Sequence, residues 1–191
     1  MNFLAHVFLS EHDFELALGN LIADQIKGKG FDQFSPKVKA GILLHRKIDD
    51  YTDHHPAFRS CVKKLFPRYR HYSRVLVDMF FDHFLAKNWQ QYHNQKLTDF
   101  TTRFYYFLLK KEYSIPDHCN QFISHLVKYK WFESYQTIEG LKKILTQMES
   151  RTQFESNLSK GCEDLVNDYF FYESHFSYFL PNIIDYLKNN N

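Results

Sequence analysis

The segment at residues 75–89, VLVDMFFDHFLAKNW, constrains the fold more than any other part of this chain. As a helix it is apolar nearly all round, which is typical of a helix buried in the middle of a protein. Asp78 and Asp82 interrupt it one turn apart, about 40° from each other around the axis. Because an unpaired charge is costly to bury, these two carboxylates must have partners inside the fold.

Apolar residues recur three and four positions apart along the rest of the chain, which is typical of helices. Only 6 glycines and 5 prolines occur in 191 residues, and aromatic residues make up 18%. This composition argues against disorder and favours long helices. We therefore predict an all-α protein, a single helical domain over 1–191, with a motif-bearing half (1–96) and an aromatic-rich half (97–191). The predicted helices cover 2–10, 11–28, 35–55, 57–66, 75–89, 97–111, 115–132, 137–152 and 157–187.

Several helix ends are marked by particular residues. Gly28 occupies the usual stop position after the second helix. Ser35 is predicted as an N-cap, with Pro36 in the first helical position. The segment 157–187 is predicted as one long helix, bent near Pro181.

Composition also excludes some classes of protein. The three cysteines form no CxxC pair, which argues against a disulfide framework and against a thiolate zinc site. The N-terminus lacks the basic region of a signal peptide, and no apolar run approaches the ~18 residues of a membrane span. We therefore expect a cytoplasmic, reduced protein.

A second polar motif lies in GILLHRKIDDYTDHHP, where His45, Asp49 and Asp53 recur every four residues and form one stripe. The ends of this stripe are about 12 Å apart along a helix. Metal ligands lie within ~2.5 Å of their ion, so one ion cannot easily take both His45 and Asp53. Two of the three residues could share an ion.

The predicted helices over 11–28, 35–55 and 75–89 thus each supply carboxylate or imidazole groups, since Asn20 and Asp24 also lie one turn apart. His6 on the first helix is a further candidate. Helical bundles build metal sites in this way, and a mixture of Asp and His favours Mn²⁺, Mg²⁺ or Fe²⁺ over a structural zinc. The alternatives are an ion-pair network with Arg46 or Arg74, solvated carboxylates, and a core histidine at position 6.

Four stretches, MNFLAHVFLS, GNLIAD, GILLHRKIDDYTDHHP and VDMFFDHFLAKNW, resemble the sequence pattern of the acyl carrier protein phosphodiesterase family. The match runs in order from Met1 to Trp89 and continues more weakly through the aromatic half. The resemblance implies an all-helical bundle like that of the HD phosphatases and phosphodiesterases, of which this family is regarded as a divergent member. The pair Asp82-His83 reverses the usual His-Asp order of that superfamily.

The resemblance also implies an activity, namely removal of the 4′-phosphopantetheine arm from the serine of holo acyl carrier protein, supported by Mn²⁺, with Mg²⁺ or Fe²⁺ as alternatives. Within the matching motifs, His6 or His83 is expected to protonate the departing serine oxygen or orient water, and Arg46 to bind phosphate oxygens. The expected metal ligands are Asp24, His45, Asp49 and Asp82, and the residues expected to support them are Asn20, Asp53 and Asp78.

The segment KKLFPRYRHYSR between the motif helices is basic and contains no acidic residue. Carrier proteins, the substrate that the resemblance implies, are strongly acidic around the modified serine, so we expect this segment to dock them. A solvated turn or a nucleic-acid patch is the alternative, although a net charge of only +2 makes nucleic acid less favoured. The docking residues are Lys63, Lys64, Arg68, Arg70 and Arg74.

Two other functions are open at the level of sequence. The first is a metal-dependent phosphohydrolase acting on nucleotides or other small phosphoesters. The second is a non-catalytic helical module that only binds carrier protein. Metal content and a comparison of substrates distinguish these functions from the phosphodiesterase.

Overall fold

The computed structural model of the protein describes residues 2–10, 13–26, 34–110, 113–152 and 155–190. Every regular element in these ranges is helical, which confirms the all-α prediction. Short 3₁₀ turns lie at Ala23–Gln25 and Leu158–Lys160. The helices are α1 (Phe3–Phe8), α2 (Phe14–Ile22), α3 (Pro36–His54), α4 (Pro56–Tyr69), α5 (Tyr72–Lys87), α6 (Trp89–Tyr92), α7 (Leu97–Leu109), α8 (Asp117–Lys128), α9 (Trp131–Ser134), α10 (Ile138–Glu149), α11 (Gly161–Asn167) and α12 (Tyr169–Asn189).

Helix α5 lies at the centre of the fold, as its apolar sequence predicts. It packs against α1 and α4 as well as α12 and α10. Phe80 and Phe81 are fully buried and meet Tyr172 and Phe176 of α12 with ring centroids 5.1 and 5.6 Å apart. Burial of this many large side chains is the main favourable contribution to the fold.

Helices α2 and α3 approach each other closely because two glycines face the opposite backbone. A Cβ atom on Gly19 would collide with the carbonyl oxygen of Val38, and a Cβ atom on Gly41 would collide with that of Leu16. The close contact brings the backbone of α2 within hydrogen-bonding distance of α3 side chains, which positions the polar site described below.

The predicted helix over 157–187 is wrong as a single element. The chain leaves the helical conformation at Asp168, where φ is −119° and ψ is 32°, and Asp168 forms an ion pair with Lys64 of α4. Pro181 lies inside α12.

The predicted helix over 115–132 is also interrupted, since Lys130 adopts a positive φ of 46° before α9. The cap at Ser35 is confirmed, because its hydroxyl oxygen accepts a hydrogen bond from the N–H of Val38. Gly28, the predicted stop of the second helix, lies outside the described residues. In the described ranges, no helix has the length and apolar character needed to cross a membrane.

Candidate metal centre

The site is organised by Asn20 on α2, which is completely buried. Its side-chain oxygen accepts a hydrogen bond from Nδ1 of His6 (2.7 Å), and its backbone carbonyl accepts one from Nδ1 of His45 (2.8 Å). The amide nitrogen of Asn20 donates to the backbone oxygen of His6 and to the hydroxyl of Ser10, which fixes the orientation of the amide. Because a carbonyl oxygen can only accept, both imidazoles carry a proton on Nδ1.

The Nε2 atoms of both imidazoles therefore point the other way, towards the Asp49 carboxylate. His6 Nε2 lies 3.3 Å from one oxygen of Asp49, and His45 Nε2 lies 3.0 Å from the other. The two rings stack with centroids 4.1 Å apart. Asp24 completes the group, with an oxygen 3.1 Å from His45 Nε2.

The surroundings shift the pKa values of this group in opposite directions. Burial lowers the pKa of His6 to about 4. Burial also disfavours the charged form of His45, but hydrogen bonds to Asp24 and Asp49 outweigh it and raise the His45 pKa to about 9. The same hydrogen bonds hold the pKa of Asp49 well below its usual range despite its partial burial. Two ionised carboxylates, those of Asp24 and Asp49, therefore face His45 Nε2, an arrangement that stabilises a positive charge at that position.

The donor set fits a divalent metal. His6, His45 and Asp49 each offer one ligand atom, and these atoms lie within 4.8 Å of one another. His6 Nε2 carries a lone pair, so it and the carboxylate oxygen that it faces are both acceptors, an arrangement that needs a proton or a cation between them. Imidazoles whose second nitrogen donates to a carbonyl are typical metal ligands.

The cluster opens into a cleft of about 330 Å³, which we call the polar cleft. Asp24 and Asp49 line it together with Thr52 and Asp53. Arg74 enters from α5 and forms an ion pair with Asp53. Asp53 thus pairs with Arg74, whereas His45 pairs with Asp49.

Asp78 of α5 also lines the polar cleft. Burial raises the pKa of its carboxyl group. A carboxyl group with a raised pKa holds a proton at a higher pH than an ordinary aspartate does, and it can donate that proton to a reacting group.

The structure does not bring Asp82 into the cluster. Its carboxylate is fully buried and accepts hydrogen bonds from the N–H groups of Leu4 (2.8 Å) and Ala5 (3.2 Å). These are unpaired N–H groups at the start of a helix, so Asp82 caps α1 from a distant part of the chain. Its polar partners are backbone groups, which the sequence could not reveal.

His83 lies outside the polar cleft as well. Its Nδ1 donates to the backbone oxygen of Tyr135 (2.7 Å), and its Nε2 lies 2.9 Å from the hydroxyl of Tyr169. Burial lowers its pKa. Arg46, the expected phosphate ligand, is exposed on α3 and is not among the residues that line the polar cleft.

The predicted docking cations are divided among three places. Lys64 and Arg68 form ion pairs with Asp168 and Asp164. Arg74 lies in the polar cleft, a position that its place in a basic run did not indicate. Lys63 and Arg70 are exposed on and just after α4.

The fold and the site define a class of protein: an all-α chain in which two buried imidazoles meet a carboxylate at the edge of a polar cleft, a donor set compatible with a divalent metal. A family model for acyl carrier protein phosphodiesterase matches residues 1–183. The chain therefore belongs to the acyl carrier protein phosphodiesterase family.

Individual relatives agree with this assignment over their whole length. A protein of Serratia proteamaculans named acyl carrier protein phosphodiesterase is 30% identical over 190 residues, covering 99% of this chain and 98% of its own. A protein of Escherichia coli O6:H1 with the same name is 31% identical over 189 residues, covering 97% and 96%. No solved structure matches the chain.

Proposed function

We propose that the protein hydrolyses the phosphodiester between 4′-phosphopantetheine and the serine of holo acyl carrier protein. The products are apo carrier protein and 4′-phosphopantetheine. The observation that carries this proposal is the pair of imidazole Nε2 atoms facing Asp49 in the polar cleft of a chain from this family. We expect the reaction to depend on a divalent metal, with Mn²⁺ preferred and Mg²⁺ or Fe²⁺ as alternatives.

In this proposal His6, His45 and Asp49 hold the metal, and Asp24 either binds it or orients His45. When bound, such an ion lowers the pKa of water and polarises a phosphoryl oxygen. Asn20 keeps both imidazoles in the tautomer whose Nε2 can bind a cation. In this proposal His6 is a metal ligand. From the sequence we expected it to protonate the departing serine oxygen or to orient water.

Two residues of α5 take the roles first given to Arg46 and His83. Arg74 lies in the polar cleft, where its guanidinium can bind the non-bridging phosphate oxygens in place of Asp53. Asp78 can protonate the departing serine oxygen, because its buried carboxyl group retains a proton more readily than an exposed one. Both assignments are proposals that rest on the positions of these side chains in the polar cleft.

The test is to incubate metal-stripped protein with holo carrier protein, with Mn²⁺, with Mg²⁺, or with excess chelator, and to weigh the carrier by mass spectrometry. We expect the arm to be released with Mn²⁺ and retained with chelator. Full release in excess chelator would refute the metal dependence, and an unchanged carrier mass under every condition would refute the activity.

Two further arms address the alternative functions. Hydrolysis of free nucleotides at a rate exceeding that with holo carrier protein would favour a small-phosphoester hydrolase. Binding of carrier protein without any change in its mass would favour a non-catalytic module. The cytoplasmic location that we expect from the sequence remains a prediction.

A further inference from the structure

A second depression, which we call the α4 groove, runs along one side of α4 and has a volume of about 690 Å³. It begins beside the polar cleft, because Arg74 lines both. Its lining includes three apolar and three cationic side chains: Phe58, Val62, Phe66, Arg59, Lys63 and Arg74. None of the described residues that line this groove is acidic.

The exposed face of α4 next to this groove has a regular pattern. Arg59, Lys63 and Phe66 follow each other at intervals of three or four residues, so they form one stripe. The stripe spans about 10 Å at 1.5 Å per residue, and Arg70 follows just after the end of the helix. Phe66 is 47% exposed, and the guanidinium of Arg70 lies 5.7 Å from the centre of its ring.

The cations of α4 differ in their partners. Lys64 and Arg68 lie on another side of the helix and form ion pairs with Asp168 and Asp164. Within the described ranges, neither Arg59 nor Lys63 forms an ion pair with a carboxylate. The positive charge beside the groove is therefore available to an external partner, whereas the charge on the other flank is already balanced.

We propose that the α4 groove docks an acidic amphipathic helix of the substrate protein, so this inference rests on the proposed function. An amphipathic helix places apolar side chains along one face with anchors at intervals of three and four residues. Such a face matches the apolar floor at Val62 and Phe66, while acidic residues beside it meet Arg59 and Lys63. Because Arg74 lines both depressions, a protein docked in the groove would have part of its surface beside the polar cleft.

The first test replaces both groove cations in the variant Arg59→Gln/Lys63→Gln. We expect KM for holo carrier protein to rise about tenfold with kcat unchanged, because charges at the edge of an interface act mainly on encounter and affinity. The dissociation constant for apo carrier protein, which carries no arm, should rise by the same factor. Added salt should weaken binding by wild type more than binding by the variant.

Two control variants show whether the loss of binding is specific to the cations of the groove. Lys142→Gln/Lys143→Gln removes two exposed charges on α10, which line neither the groove nor the polar cleft, and should leave KM within about twofold. Lys64→Gln/Arg68→Gln removes the same charge from the other flank of α4. If carrier binding weakens in this variant and is normal in Arg59→Gln/Lys63→Gln, the proposed groove is wrong.

An apolar variant tests the floor of the groove independently. Phe66→Ala should weaken binding of apo carrier protein without reducing its salt dependence, because it removes contact area and leaves the charges in place. Unchanged binding in both Phe66→Ala and Arg59→Gln/Lys63→Gln would overturn the proposal. So would tight binding of single-stranded nucleic acid that depends on Arg59 and Lys63 while carrier binding does not.

These outcomes separate the docking site from the reaction. If wild type binds carrier protein through the groove but never releases the arm, the docking proposal stands and the proposed activity falls. If wild type releases the arm and the groove variants have normal KM and normal binding, the activity stands and the docking proposal falls.

Discussion

Asp49 and Asp82 are both inward-facing aspartates on motif helices, yet their surroundings differ in kind. The Asp49 side chain is 45% exposed and faces two imidazole Nε2 atoms across the polar cleft. Asp82 is completely buried and faces two backbone N–H groups. The carboxylate in the most apolar helix therefore stabilises the fold by capping another helix. The half-exposed carboxylate beside two histidines is placed where it can bind a cation or a reacting group.

The two regions are nonetheless connected through α1. This helix has only six residues, and the N-cap residue Asn2 that precedes it provides no side-chain cap. So short a helix is not stable alone, and Asp82 supplies the missing acceptors for Leu4 and Ala5. His6 lies on the same helix, so the buried carboxylate helps to hold a proposed metal ligand in place without touching the metal.

The largest expected effect is that of Asp49→Asn. A bound metal supplies several kcal/mol of transition-state stabilisation, so its displacement should lower kcat/KM by about 10³-fold. Because Asp49 also pairs with both imidazoles, turnover is corrected for the folded fraction measured by melting. Asp50→Asn on the exposed side of the same helix is the matched control and should retain activity. Full activity of Asp49→Asn would contradict the proposal that Asp49, and not Asp82, is a metal ligand.

The next effect concerns the Asn20 side chain, which orients the proposed metal ligand His6, whereas the backbone carbonyl that orients His45 is retained in any substitution. Residues that hydrogen-bond to metal ligands typically contribute 10–100-fold to affinity, so Asn20→Ala should weaken Mn²⁺ binding by about that factor. Titration of metal-stripped protein by calorimetry measures this directly. Ser10→Ala is the control, since Asn20 then still donates to the backbone oxygen of His6. Equal Mn²⁺ affinities for wild type and Asn20→Ala would contradict the proposed role.

A smaller effect on activity, but a clear one on stability, is expected for Asp82→Ala. Two buried N–H groups lose their acceptor, and an unsatisfied buried donor costs about 1–3 kcal/mol. Urea unfolding should therefore show a lower free energy of unfolding, while the folded fraction keeps most of its turnover. A variant of normal stability without activity would instead make Asp82 a metal ligand, as the sequence first suggested.

The smallest effect is a pH dependence of stability caused by Asp82. Burial raises its pKa from 3.8 to about 7, so the folded state holds this proton more tightly than the unfolded state. The resulting stabilisation is complete below the unfolded pKa of 3.8 and is lost as the pH rises through about 7. Relative to Asp82→Asn, wild type should therefore lose stability between about pH 4 and about pH 7. A constant difference over that range would show that the carboxyl group does not titrate there.

Much of the fold could be predicted from sequence, because apolar periodicity reports burial directly. Helix α5 is central as expected, and Ser35 caps α3. The breaks at Lys130 and Asp168 could not be found in this way, since they depend on one backbone conformation and on an ion pair with a distant helix.

The site could be predicted in part. The four-residue spacing indicated that His45 and Asp53 could not easily share one ion, and in the structure Asp53 pairs with Arg74 instead. It did not reveal that Asp82 binds backbone N–H groups, because backbone partners leave no mark in the sequence. The role of Gly19 in bringing α2 against α3 was missed for a related reason. A glycine indicates a close contact between two helices only when the residue opposite it is known, and here that residue is Val38.

The most direct measurement of the central claim is the carrier mass after equal incubations with wild type, Asp49→Asn and Asp82→Asn, each at saturating Mn²⁺ and corrected for the folded fraction. We expect wild type and Asp82→Asn to convert holo carrier protein to the apo form and Asp49→Asn to leave it unchanged. Release of the arm by Asp49→Asn together with full inactivity of folded Asp82→Asn would contradict this expectation.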